Sequence, residues 1–272
     1  MKRETKGSPG YINYLKGIKR QSRLIHLFQF LFCVAFLIIW EVLANYGIID
    51  TFFFSKPSAI WTLLIKYIQT GELFTHVGTS LYETMIGLIA GTLGGLFISI
   101  CLWWSERLAK FFDPFLVILN ALPKTALAPI LIVWVGTNAK GIISIAIITS
   151  ITVTIMSAYN YFATVDPEKI RLMKSFGANK WQILTKLILP ANSINIINLL
   201  KINIGMTWVG VIVGEFVASR AGIGYLIVYG GQVFKLSLVM MGVFVLAILT
   251  LIMYEVVNLI ENYLRKKQSS KK

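Results

Sequence analysis

Charge is scarce in this chain. Lys, Arg, Asp and Glu make up 14% of its 272 residues, against about 25% in an ordinary soluble domain. Ile, Leu, Val, Phe and Trp fill the deficit: 56% of residues are hydrophobic and the mean hydropathy is +0.72. Such a surface cannot be kept in water, which excludes a soluble enzyme. A basic disordered chain is excluded as well, because aromatics reach 13% and disordered segments are poor in them. Cysteine is nearly missing. Cys33 and Cys101 sit singly inside apolar runs, so they form neither a metal spacing nor a disulfide framework. No G-x-x-x-x-G-K-[ST] occurs, and the polar stretches are too short for a nucleotide domain, so the chain has no phosphate-binding loop of its own.

What is present is a series of long apolar runs. A spanning helix needs about 20 such residues, and six stretches qualify: 27–47, 82–104, 114–135, 141–160, 193–216 and 237–259. The fold class is therefore an all-α membrane protein with six transmembrane helices. The third run is interrupted by Pro123, Lys124 and Pro129. The first follows a basic stretch without a small-x-small cleavage site, so it reads as an uncleaved anchor. The expected organisation is a basic tail over 1–26, a membrane domain over 27–262 and a second basic tail over 263–272. Between the first two runs, Ala59–Gln69 has the pattern of a short amphipathic helix lying along the interface.

Basic residues set the orientation. Nineteen fall in the two tails and in the 105–113 and 161–190 loops, and five fall in the opposite set of loops. Both termini are therefore expected in the cytoplasm. The net charge of +14 follows from this topology, and nucleic-acid binding is not needed to explain it. His26 and His76 then lie on opposite sides, which removes any histidine cluster and argues against a membrane enzyme.

The 161–190 loop is unusually structured. Asp166 is a good N-cap and Pro167 a good first helical residue. Gly177 stops that helix by taking positive φ. Asn179 with Gln182 has capping-box spacing, and Pro190 should end or break the second helix. Leu172, Phe176, Trp181 and Leu184 recur at three- and four-residue intervals among basic residues. This pattern suits either a docking surface or a loop folded back on its own bundle.

The loop also resembles the cytoplasmic signature of the permease subunits of binding-protein-dependent ABC importers: E-A-A, three residues, Gly, nine residues, then I-x-L-P. Gly177 occupies the glycine and Leu187-Ile188-Leu189-Pro190 the end, while Arg171-Leu172-Met173 replaces the E-A-A triplet. Leu122–Gly136, Trp208–Ile227 and the stretch from Phe52 to Trp61 are similar to the nitrate, sulfonate and taurine branch of that family. The resemblance implies a type I importer bundle in a prokaryotic cell membrane, with a second permease copy, an ABC ATPase dimer and an extracytoplasmic solute-binding protein as partners. It implies that Arg171, Leu172, Met173, Phe176, Gly177, Ala178, Lys180, Trp181 and Pro190 couple to the ATPase. This chain would then be no enzyme and hold no cofactor, with ATP and Mg used by the partner. The cargo would be a small anionic or heterocyclic solute such as nitrate, a sulfonate, taurine or a thiamine-precursor pyrimidine.

Polar residues inside the bilayer are costly and face a cavity or a partner. Lys124, Thr125 and Glu215 are candidates for the translocation path. Lys124 either lines it, reaches the cytoplasmic interface, or pairs with Glu83 or Glu215. Glu215 either anchors the outer gate through Arg220 or a backbone amide, or sits in interfacial water. Gly87, Gly91 and Gly95, with Gly210 and Gly214, form small-xxx-small faces expected to pack helices closely. The alternative to an ABC permease is a self-sufficient secondary transporter or channel, which needs an ion relay that the few membrane carboxylates and lysines scarcely provide.

Overall fold

Every regular element among the described residues, 9–269, of the computed structural model is a helix. Among the described residues five helices are long and apolar enough to cross a membrane, or six if one bent pair counts as a single span. Lys2, Arg3, Lys6, Lys271 and Lys272 of the orientation count lie outside the described residues. The chain divides into two units, meeting at Leu63 and Leu64.

In the first unit, helix α1 (Pro9–Asn45) runs from the basic stretch into the first apolar run without a break, and a single turn, α2 (Thr51–Phe54), follows. Helix α3 (Pro57–Gln69) begins in this unit. Glu41 fixes that beginning: its carboxylate accepts from the Ser58 amide at 3.0 Å and the Ser58 hydroxyl at 2.9 Å. A negative group at the positive end of a helix is favourable, and it satisfies an otherwise orphaned donor. Lys56 donates to Asn45 at 3.2 Å beside it.

The second unit holds the bundle. Helix α4 (Glu72–Trp104) starts ten residues earlier than its apolar run. The third run is not one helix. It is α5 (Glu106–Ala121) and α6 (Lys124–Val135), bent by 97°. Leu122 precedes proline and is forced out of the helical region, to ψ 134°. Pro114 and Pro129 stay inside their helices. Helix α7 (Ala139–Ala163), α8 (Pro167–Ser175) and α9 (Lys180–Ile183) follow. A π turn (Leu184–Ile188) leads into α10 (Leu189–Ala191). The unit ends with α11 (Ser193–Ala218), α12 (Ile223–Gln232) and α13 (Leu236–Ser269).

Helix α7 is central, packed between α4 and α11. The glycine spacing explains why. Gly87, Gly91 and Gly95 of α4 stand against Ala146, Ser150 and Thr154 of α7, four residues apart on both sides. On the other flank, Gly210 faces Ala146 and Thr149, and Gly214 faces Ile142. Lipid tails are as apolar as the side chains, so close backbone approach supplies the association energy. One buried amide ties the three helices: Asn203 of α11 donates to Thr92 of α4 at 2.9 Å and to Thr154 of α7 at 2.7 Å.

A side chain at Gly210 would place its first carbon 2.6 Å from the Cα and 3.0 Å from the N of Ala146, backbone atoms that cannot step aside. Gly210→Ala should cost about 1–3 kcal/mol of stability. Gly205→Ala, with nothing within 4 Å, should be neutral or slightly stabilising. Melting of the two variants in detergent checks this; equal melting temperatures would refute the packing argument.

Candidate functional site

The loop joining α7 to α11 has two faces. Asp166 caps α8 by accepting from the Glu168 amide at 2.9 Å. Gly177 takes φ +75°, and the amides of Gly177 and Ala178 return to the carbonyls of Lys174 and Met173 at 2.9 and 3.0 Å. This is a glycine C-cap, where a Cβ would be strained. The Asn179–Gln182 capping box is formed in both directions, at 2.8 and 2.9 Å. Pro190 does not end the helical course as expected. The turn before it widens into the π turn, which suits a residue with no N–H to offer, and the interruption comes at Asn192.

The inner face buries Ile183, Leu184 and Ile188 with Phe162, Ala158 and Leu199, and Met173 and Ala178 pack partly against them. The outer face leaves Leu172 56%, Phe176 80% and Trp181 61% exposed, beside exposed Arg171 and Lys174. Pro190 is exposed too. The nine loop residues singled out in the sequence are thus split between the two faces. Lys180 fastens the loop to the end of α4. Its ammonium donates to the Trp104 carbonyl and lies 5.5 Å from the Trp104 ring. The Trp181 ring sits 6.4 Å from that of Trp104.

At the opposite end of the bundle, three consecutive amides opening α12 are held from other helices. The Gly222 amide donates to His76 Nδ1 at 3.0 Å, and that of Ile223 to Ser80 Oγ at 2.8 Å. The Gly224 amide donates to the carboxylate of buried Glu215, which also accepts from the Ser80 hydroxyl. The anchor of Glu215 is therefore the backbone amide. Gly222, at φ +124°, and Gly224 leave no room for a Cβ against that carboxylate. His76 stacks on Tyr225 at 5.9 Å. Glu83, likewise buried, lies within hydrogen-bonding reach of Glu215.

Lys124 and Glu215 are not brought together. Lys124 donates to the carbonyl and side-chain oxygens of Asn120 at 2.8 and 3.2 Å, so it caps the C-terminus of α5 at the elbow. Thr125 follows it on α6, exposed, and Pro129 cannot donate to the Thr125 carbonyl. The sequence did not point to two sets of partners, one at the start of α12 and one between α11 and α13. Ser80 and His76 continue the glycine stripe of α4 outward at helical spacing, and that continuation was the available signal. Lys201 pairs with Glu261 and donates to Asn258 at 3.1 Å, joining α11 to α13; Arg265 completes the cluster, 2.6 Å from Glu261.

Comparison with known proteins agrees with this architecture. A 28% identical relative, covering 85% of this chain and 84% of its own length, is SsuC of Bacillus subtilis (strain 168), a permease named for aliphatic sulfonates. TauC, the taurine transport system permease of Escherichia coli (strain K12), is 25% identical over 80% of this chain and 81% of its own. ThiX, the formylaminopyrimidine transport permease of Halalkalibacterium halodurans, is 26% identical over 88% and 96%. A chain of the inward-facing MetNI methionine ABC transporter superposes with a TM-score of 0.63 at 18% identity, over 69% of this chain and 94% of that one. Residues 83–270 match the model of the binding-protein-dependent transport system inner membrane component. The chain belongs to that family, the multi-pass membrane permeases of ABC importers, and within it to the sulfonate and taurine branch.

Proposed function

We propose that this permease draws its energy from a separate ATPase dimer seated on the loop between α7 and α11. The observation that carries the reading is the loop's two faces. A loop folded back only to cover its bundle turns its large apolar groups inward. Here Leu172, Phe176 and Trp181 turn outward on a frame that Ile183, Leu184 and Ile188 hold rigid. An exposed aromatic patch rimmed by cations is a docking surface for another polypeptide.

The cycle is alternating access. ATP binding closes the ATPase dimer, the docked loops of two permease copies draw together, and the path opens outward to a solute-binding protein. Hydrolysis resets it. The six spans leave both termini in the cytoplasm. ATP and Mg are used by the partner, and this chain holds no cofactor. The cargo is a small anionic or heterocyclic solute of the kind named for the relatives: a sulfonate, taurine or a thiamine-precursor pyrimidine, with nitrate in the same class.

Phe176→Glu places a charge where the side chain is 80% exposed, so folding should be untouched. The ATPase recovered with the permease should fall about ten-fold or more, the scale of losing one interface anchor. Full recovery at an unchanged melting temperature removes the docking claim. In liposomes, the permease alone should move no solute, and flux should need the ATPase, ATP and the binding protein together. Steady uptake without the ATPase would instead establish a secondary transporter or channel.

A further inference from the structure

We propose that Glu83 and Glu215 form a binding site for one proton, carried on Glu83 and shared with Glu215, and that this proton fastens the turn opening α12 to α4 and α11. Neither the transported solute nor the source of energy enters the argument.

Two buried carboxyl groups meet at this end of the bundle. Both residues are 1% exposed, and their side chains are hydrogen-bonded to each other. A carboxylate can only accept, so a bond between two of them needs a proton on one. The surroundings decide which. Glu215 also accepts from the Ser80 hydroxyl and the Gly224 amide, and such donors stabilise a negative oxygen. Glu83 Oε2 has no partner, and an orphaned acceptor costs less on a neutral acid than on an anion. Glu83 is therefore the acid that donates, and Glu215 the carboxylate that accepts.

No cation of the protein takes the proton's place. Among the described residues no ion pair includes either glutamate. On α4, His76 is spent on the Gly222 amide and stacks on Tyr225 of α12, while Glu72 is exposed. Arg220 after α11, Lys140 opening α7 and Lys235 before α13 are exposed as well. Lys124 of α6 is bound to Asn120.

The proton has a way in. Glu83, and not Glu215, lines a cleft of about 730 Å³ together with Thr79, Asn138 and Arg220, so water in the cleft exchanges with the pair through Glu83. Loss of the proton to that water leaves two buried carboxylates in contact, which repel strongly where the dielectric is low. Relief comes from parting α4 and α11. Ser80 holds the Ile223 amide from α4, and Glu215 holds the Gly224 amide from α11, so the turn loses its grip on one of them. The stabilisation is present while the proton is bound and is lost as the pH rises past its release.

Infrared spectroscopy of the purified full-length permease reads the proton directly. The wild-type spectrum minus that of Glu83→Gln should show one protonated-carboxyl C=O band at neutral pH, shifted by isotope-labelled glutamate and lost in alkali. Melting should follow the same proton. As the pH is raised through the loss of the band, the wild-type melting temperature should fall by about 5 °C or more relative to Glu83→Gln. The variant's amide still donates to Glu215 and has no such proton to lose. The absence of a carboxyl band overturns the proposal, as does a band that alkali leaves in place. Separate bands lost with Glu83→Gln and with Glu215→Gln would put a proton on each and overturn it too. So would parallel melting profiles for the wild type and Glu83→Gln, or a band that appears only when sodium and potassium are withheld, which makes the pair a metal-cation site. Where Glu83→Gln fails to fold, the labelled wild-type band and its loss in alkali decide alone.

Discussion

Close contact between α7 and its two neighbours is the constraint from which the rest of the bundle follows. Burial of apolar surface does not drive helices together in lipid, so backbones must approach until dispersion and a few hydrogen bonds suffice. Three glycines on α4 and two on α11 permit that approach. Ser150, Thr154 and Thr92, with Asn203, then fill the seam with groups small enough to fit and polar enough to bond. The cost is a fixed register. Moving α4 along α7 by one residue would set side chains where only hydrogens fit.

That register gives α4 its mechanical character. One end of this helix holds the turn at Gly222–Gly224 through His76 and Ser80. The other end meets Lys180 and Trp181 of the loop between α7 and α11 through Trp104. The segment between them is rigid and locked to α7. A single uninterrupted helix therefore joins the loop to the opposite end of the bundle. The Lys201–Glu261 pair performs a comparable service between α11 and α13.

Much of this was legible in the sequence because it rests on local rules. The apolar runs marked the spans, the four-residue glycine spacing marked the close faces, and Asp166, Gly177 and the Asn179–Gln182 pair marked both loop helices. The elbow at Leu122–Pro123 was half visible: three helix breakers stood in one run, and only tertiary packing decided which would act. The pairing of Ser80 and His76 with the start of α12 was hidden for another reason. It joins residues more than 140 positions apart, and no periodicity encodes which turn a polar stripe will meet. Lys124 shows the converse. Its charge suggested the pathway or a distant carboxylate as a partner, and the structure gives it the open carbonyl end of its own preceding helix.

The length of α4 has a consequence for the host membrane. Thirty-three residues at about 1.5 Å each make a rod of about 50 Å, while the hydrocarbon layer is about 30 Å thick. The surplus is accommodated by tilt or by projection into the headgroups. Lipid thickness thus acts as a load on the rod itself: thinner bilayers tip it further and change the depth at which its two anchoring ends sit, so acyl-chain length becomes a dial on the protein's resting posture.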